Sequence, residues 1–207
     1  MTRIRLLSLG AGIALLAAIV VGCGDDDSGS SGGDASATII RGTTDQPISY
    51  DPAGAYDLPS YDGIYAMYQN LLTVEPGGNE AVPEAAESCD FTDKENKVFE
   101  CTMKDGLTFS DGSDLTAEDV VYSFERNVEI ADPNGASSLL ANMKSIEAPD
   151  DKTVVFNLKA PDATWPLLLT TGSFGIVPSD VYPQDKLQPS DEVVGSGRYT
   201  LADYQPG

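Results

Sequence analysis

Residues 107–127 read LTFSDGSDLTAEDVVYSFERN, and within this stretch an alternating pattern changes to a helical one. The alternation of Leu107-Thr108-Phe109 indicates the end of a strand, and Ser110-Asp111-Gly112 supplies residues that tight turns prefer. Thr116 and Asp119 have the spacing of a capping box, which predicts the start of a helix. The predicted buried face of that helix consists of Val120, Val121, Phe124 and Val128. The stretch therefore predicts a strand, a tight turn and an amphipathic helix in direct succession.

The acidic residues of this stretch allow three interpretations: a metal-binding loop, an acid/base site, or a structural corner. In the spacing Asp111-x-Ser113-x-Leu115, a leucine stands where an EF-hand calcium loop needs a third oxygen ligand. A catalytic acid needs an apolar pocket that raises its pKa, whereas these carboxyl groups lie in a turn and a first helical turn. Turn and capping roles account for these acids, so we interpret the stretch as structural.

Elements on the amino-terminal side of this stretch follow from the same reasoning. Residues 37–41 are predicted to form a first strand, and Ser60 is predicted to cap a helix. The sequence CDFTDKENKVFEC, residues 89–101, has a polar turn between two alternating segments and predicts a β-hairpin. In that register, Cys89 faces Cys101 and Phe91 faces Phe99. The predicted apolar stripe of the helix is Ile64, Met67, Tyr68, Leu71 and Leu72.

Strand and turn patterns continue on the carboxyl-terminal side. A turn at 131–135 closes the central helix, and a second hairpin is predicted over 145–159, with Val154, Phe156 and Leu158 on one face. Trp165 is predicted to be buried. Ser179 is predicted to cap a short helix, and residues 193–204 to form a glycine-rich turn that leads into a strand. Helices and strands alternate along the chain, as expected for the α/β class.

The first 23 residues indicate export from the cytoplasm. Two arginines precede a largely apolar run of 16 residues, Leu6 to Val21, which is shorter than the roughly 20 residues of a membrane-spanning helix. Val20-Val21-Gly22-Cys23 is similar to the lipobox of bacterial lipoproteins, which predicts a signal peptide over 1–22 and lipidation of Cys23. The alternative is an ordinary signal peptide with an incidental cysteine. Residues 23–36 then form the lipidated cysteine and a flexible tether, because they contain no large apolar side chain.

Cysteine usage and charge narrow the possible partners. Lipidation of Cys23 would leave Cys89 and Cys101 in an oxidising compartment, where a disulfide is the expected outcome. The chain contains no histidine and no further thiol, so a closed zinc site cannot be built, and no metal or cofactor is predicted. Its 12 basic residues against 33 acidic ones give a net charge of -21, which would repel the phosphates of a nucleic acid.

Several landmarks occur in one order along the chain: the lipobox, Tyr50-Asp51-Pro52, the segment Tyr68 to Leu72, the two hairpins, the stretch 109–126, and Val194 to Tyr199. Together they resemble the family 5 solute-binding proteins of ABC importers, the oligopeptide- and dipeptide-binding type. The resemblance covers residues 37–207, as the amino-terminal part of the family 5 domain. It implies a periplasmic-binding-protein type II fold, here incomplete, with only the first lobe and the small subdomain present.

The resemblance also implies a function. Family members capture a solute between two lobes and deliver it to ABC permease subunits in the membrane, and most of them carry peptides. Ligand contacts are expected from Thr44, Asp45 and Gln46, where relatives pair backbone with the ligand, and from Ser137 and Ser138. The carboxylate that holds the ligand's amino group in relatives would lie in the missing part. We expect a protein anchored to the outer face of the cytoplasmic membrane, or periplasmic where the cell has an outer membrane.

Two other functions remain open at this stage. The chain could be a truncated surface lipoprotein that acts as an interaction module without solute transport. An extracellular hydrolase is not supported, because the chain has no histidine for a serine or cysteine triad and no GxSxG motif, which leaves only carboxylate catalysis. The protein is therefore not expected to be an enzyme.

Overall fold

The computed structural model describes residues 40–205. Cys23, the signal peptide and the tether lie outside these residues, as does most of the strand predicted at 37–41, of which Ile40 and Arg41 have no regular secondary structure. The helices are α1 (Leu58–Met67), α2 (Ala117–Ile130) and α3 (Trp165–Leu168). The strands are β1 (Leu72–Val74), β2 (Ala81–Pro83), β3 (Ala86–Phe91), β4 (Val98–Met103), β5 (Met143–Asp150) and β6 (Thr153–Leu158). Short 3-10 turns cover Pro52–Gly54, Ser137–Asn142 and Gly172–Phe174.

An antiparallel four-stranded sheet in the order β3-β4-β6-β5 is the centre of the fold, and β1 and β2 form a separate two-stranded sheet. The hairpin β3–β4 has the predicted register, with Cys89 opposite Cys101 and Phe91 opposite Phe99. Its turn is held by the Asp93 carboxylate, which accepts the backbone N–H groups of Lys97 and Val98 at 2.8 and 2.9 Å. The predicted disulfide is formed between Cys89 and Cys101, whose Cα atoms are 4.1 Å apart.

Aromatic rings join the sheet to the helices. Phe124 of α2 contacts Phe156 of β6 edge to face at 5.1 Å and stacks on Phe174 at 5.3 Å. Phe156 in turn contacts Trp165, which is buried as predicted. Edge-to-face and offset aromatic pairs contribute beyond the area that they bury, so this cluster fixes α2 and α3 against the sheet.

Helix α2 begins where the sequence predicts. The backbone N–H of Thr116 donates to Asp119 Oδ2 at 3.0 Å, which is one half of a capping box. The predicted capping box is present, and Asp119 Oδ1 also accepts from the backbone N–H and hydroxyl of Ser179. The predicted burial of Val128 is wrong, because its side chain is 48% exposed. The buried face includes Arg126, which binds the Asp51 carboxylate, and Asn127, whose Nδ2 donates to the Ser173 carbonyl oxygen.

The predicted amino-terminal cap of α1 is also wrong. Asp57 occupies the cap position and accepts the backbone N–H of Ser60 at 3.0 Å. The Ser60 hydroxyl accepts instead from the backbone N–H of Ile48 at 2.9 Å, which ties the preceding loop to the helix. An ionised carboxylate at the positive end of the helix competes well with a hydroxyl, and Pro59 fits the first turn.

Tertiary contacts end α1 at Met67, so Leu71 and Leu72 are buried outside the helix. The backbone N–H groups of Gly197 and Tyr199 donate to the last carbonyl groups of α1, those of Met67 and Ala66, at 2.8 and 3.0 Å. These backbone groups bond to the end of α1 and not to a neighbouring strand. The strand predicted within 193–204 is therefore absent among the described residues. The helix predicted after Ser179 is a turn at 179–181, since the Ser179 side chain is bound by Asp119.

Glycine is required where this terminal segment touches α1. A Cβ atom at position 195 would lie 2.1 Å from the Met67 carbonyl oxygen, and one at position 197 would lie 2.4 Å from that of Ala66. Real Cβ atoms do not approach backbone oxygens so closely. The VGSG sequence therefore allows backbone-to-backbone contact at the end of the helix.

A buried ion pair joins three distant segments. The Arg126 guanidinium forms two bonds to the Asp51 carboxylate, at 2.9 and 2.6 Å, and both side chains are almost fully buried. Arg126 also donates to the carbonyl oxygens of Pro183 and Lys186, and Asp51 accepts from the backbone N–H groups of Ala53 and Gln188. The guanidinium and the carboxylate therefore both have further hydrogen-bond partners besides each other. A buried salt bridge is tolerated when its groups are hydrogen-bonded in this way.

Candidate functional site

A cavity of about 1010 Å³ lies between the end of α1, the β1–β2 hairpin and the segment 196–199. Both polar and apolar side chains face it. Its ionisable lining residues are Asp62, Glu75, Glu84, Lys104 and Arg198, with Tyr65, Tyr68 and Tyr199 among its aromatic ones. The volume is at the upper end of the range for small-molecule sites.

The charges of this cavity are partly tied to one another. Glu84 Oε2 accepts the backbone N–H of Asn70 at 2.9 Å, and the Lys104 ammonium donates to the Glu84 carbonyl oxygen at 2.5 Å. Partial burial raises the pKa of Glu84 above its ordinary value, while the Asn70 bond and then the charges of Arg198 and Lys104 act in the opposite direction. The two cations of the cavity therefore lie close to an acidic side chain.

Three tyrosines, Tyr56, Tyr61 and Tyr65, contact one another in a row that begins just before α1 and reaches this cavity at Tyr65; we call it the tyrosine ladder. Adjacent rings contact edge to face, with centroids 6.2 and 5.5 Å apart. Tyr56 is 56% exposed and Tyr65 is 50% exposed, and Tyr65 also lines the cavity. The ladder therefore presents partly exposed aromatic rings at the surface.

The hydroxyl groups hold two ladder rings in place. The Tyr61 hydroxyl lies 2.7 Å from the Ser173 Oγ, and the Tyr65 hydroxyl donates to the Thr170 carbonyl oxygen and accepts from the backbone N–H of Gly172, both at 3.1 Å. Burial raises the pKa of Tyr61 to about 12 and raises that of Tyr65, so both remain protonated at neutral pH. The ring faces are thus preorganised for a ligand.

A second cavity, of about 500 Å³, lies at the start of the folded unit. It is lined by residues 43–47, by Tyr50 and by the segment 201–205. The rings of Tyr50 and Tyr204 meet edge to face at 5.3 Å. Asp45 and Asp203 are the charged residues of the lining.

With this geometry described, the chain can be compared with known proteins. The model of the bacterial extracellular solute-binding proteins, family 5 (middle), matches residues 80–207, more than half of the chain. The chain belongs to this family. The resemblance inferred from the order of the motifs along the sequence is therefore confirmed.

Curated family 5 relatives match across most of the chain. A probable D,D-dipeptide-binding periplasmic protein, DdpA of Escherichia coli, is 28% identical over 82% of this chain and 34% of its own length. The periplasmic oligopeptide-binding protein OppA of the same organism is 27% identical over 98% of this chain and 40% of its own length. The chain spans about a third of the length of the curated relatives that it matches.

The fold of this family 5 chain is that of the type II periplasmic binding proteins. The solved structure of the Escherichia coli murein tripeptide-binding protein MppA superimposes with a TM-score of 0.68 and 26% identity. The match covers 78% of this chain and 35% of the MppA chain. The predicted fold class is thereby confirmed.

The ligand-contact residues predicted for this family 5 chain lie in different places. Thr44, Asp45 and Gln46 are exposed and line the smaller cavity. Ser137 and Ser138 lie in the 3-10 turn Ser137–Asn142 and line neither cavity, so the structure does not bring the two groups together. Ligand contact by all five residues stays a prediction.

Sequence reasoning missed the tyrosine ladder of this family 5 chain. Tyr61 and Tyr65 are four residues apart, a spacing that places both on one helix face, and this signal was available. The apolar stripe through Ile64 and Met67 was assigned to the core, and the tyrosines on the neighbouring face were not considered.

Among residues 40–205 no cluster of potential ligands is placed to hold a metal ion, and no helix has the length and apolar character needed to cross a bilayer.

Proposed function

We propose that this chain provides one wall of the binding site in the substrate-binding component of an ABC importer, and that its solutes are peptides. The tyrosine ladder, whose Tyr65 lines the large cavity, carries this proposal, because it offers an exposed aromatic face on a fold shared with peptide-binding proteins. Closure of a second lobe over the ligand, and docking of the closed form on the permease, would follow from the two-lobed type II design. Catalysis is not part of the proposal.

Peptide binding tests this function directly. The full translation product of the gene, titrated calorimetrically with tri- to pentapeptides, is expected to bind with dissociation constants in the micromolar range or below. Tyr56→Ala is expected to weaken binding about fivefold or more, because truncation of an aromatic contact typically removes about 1 kcal/mol or more. Tyr56 suits the test because its side chain is more than half exposed, so the fold should survive.

Val128→Ala is the matched control for this titration, since Val128 is similarly exposed but lies on α2, outside the tyrosine ladder. Its affinity should equal that of the wild type. Absence of binding to every peptide would reject the proposal and would favour the alternative of a surface lipoprotein that acts as an interaction module.

We also propose that Cys23 anchors the protein to the bilayer at the cell envelope, with residues 1–22 as a signal peptide and residues 23–36 as a tether. The lipobox-like sequence before Cys23 supports this assignment. Cells fed a radiolabelled or clickable fatty acid should label the wild-type protein, and the label should be lost completely in Cys23→Ser. Cys23→Ser should also move the protein from the membrane fraction to the soluble fraction. Equal labelling of both proteins would contradict the assignment.

A further inference from the structure

We propose that the tyrosine ladder selects peptides that carry a cationic side chain. This inference rests on the proposed peptide-binding function and adds to it the chemical class of the preferred ligand. Its basis is the combination of exposed ring faces with a strongly acidic surrounding sequence.

The ring faces are available to a cation. Tyr56 and Tyr65 expose about half of their surfaces, and the hydroxyls of Tyr61 and Tyr65 are bound to residues 170–173, so these two rings cannot easily turn away. The π face of a tyrosine attracts an ammonium or guanidinium group placed over it. The fold already uses this contact once, where Arg126 lies 5.4 Å from the ring centroid of Tyr182.

The charge around the ladder also favours a cation. No lysine or arginine occurs between Arg41 and Lys94, a segment that contains all of α1 and the ladder. Asp57, directly after Tyr56, accepts one hydrogen bond at Oδ1, and its Oδ2 is buried without a hydrogen-bond partner among the described residues. The net charge of the whole chain, -21, acts in the same direction.

Two cations line the same cavity as Tyr65 and already interact with an acidic residue. Lys104 and Arg198 line the cavity that Tyr65 borders. Lys104 donates to the Glu84 carbonyl oxygen, and the charges of both cations act on the Glu84 carboxyl group. They lie against the β1–β2 hairpin and segment 196–199, whereas Tyr56 and Asp57 lie at the opposite end of α1.

Matched peptides separate this inference from the proposed function. Calorimetric titration of the full translation product with Ala-Lys-Ala, Ala-(Nε-acetyl-Lys)-Ala and Ala-Phe-Ala compares a cationic, an uncharged and an aromatic central side chain. We expect Ala-Lys-Ala to bind about fivefold to thirtyfold more tightly than the acetylated peptide, as the range of cation–π strengths implies. The preference should fall as salt is raised, because the acidic surroundings are screened.

Two variants assign the preference to the ladder. Tyr56→Ala is expected to reduce the lysine-to-acetyllysine affinity ratio several-fold, and Tyr56→Phe, which keeps the ring, to preserve it. Equal affinity for the three peptides, tighter binding of Ala-Phe-Ala, or an unchanged ratio in Tyr56→Ala would overturn the inference while leaving peptide binding intact. Failure of all three peptides to bind would reject the proposed function as well.

Discussion

Replacing Arg126 by methionine is expected to lower the free energy of unfolding by about 3–5 kcal/mol, the usual cost of breaking a buried ion pair by removing one partner. Methionine keeps much of the side-chain volume but leaves the Asp51 carboxylate buried without its counter-charge. It also leaves the carbonyl oxygens of Pro183 and Lys186 without their donors. Urea unfolding followed by circular dichroism measures the change.

Two further variants show whether the lost charge pairing is the cause. Lys152→Met removes the exposed ion pair with Asp105 and should cost no more than about 1 kcal/mol. Asp51→Asn combined with Arg126→Met should be less destabilised than the sum of the two single variants, because the double variant has no buried uncompensated charge. A loss below about 1 kcal/mol in Arg126→Met, or strict additivity in the double variant, would show that the pair contributes little.

Removal of the disulfide is expected to have the next largest effect. Cys89 and Cys101 are 12 residues apart, and closing a loop of that size stabilises the folded state by about 3 kcal/mol in the chain-entropy model. The variant Cys89→Ala/Cys101→Ala should lose about this amount, since β3 is then held at the sheet edge by its strand pairing alone. Urea unfolding with and without a reducing agent provides the measurement.

The reducing agent supplies its own control in this experiment. The wild-type protein should lose stability on reduction, and the double alanine variant should not respond. A wild-type unfolding midpoint that is insensitive to reduction would mean that the disulfide does not stabilise the domain.

Features specified by short-range patterns were predicted well from the sequence. The hairpin register at Cys89 and Cys101, the start of α2 near Thr116, and the burial of Trp165 all depend on residues within about one turn or one hairpin. Alternation and capping chemistry act over those distances, so the local sequence is sufficient. The family resemblance then supplied the fold class.

Features specified by distant partners were not predicted. The strand expected within 193–204 is absent because the N–H groups of Gly197 and Tyr199 bond to the end of α1, more than a hundred residues earlier. Val128 is exposed because α2 turns Arg126 toward Asp51, a partner that helical periodicity does not reveal. At these positions, tertiary contacts override the local preference for helix or strand.

The candidate site illustrates the same limit. The sequence placed ligand contacts in the loop at Thr44 to Gln46, and the structure shows that this loop lines a cavity. Prediction of the tyrosine ladder would have required knowing which face of α1 the segment 170–173 covers. That contact joins residues more than a hundred positions apart, so the local sequence does not reveal it. Exposure, which distinguishes a binding face from a core stripe, becomes visible only in three dimensions.

The network around Arg126 has a consequence for the order in which the domain folds. Asp51 meets Arg126 across 75 residues, and its contact with the backbone of Gln188 spans 137. The guanidinium group therefore gains its full set of partners only when the segment beyond Pro183 packs against it. Contacts between such distant parts of a chain form slowly, because the entropy of closing a long loop opposes them.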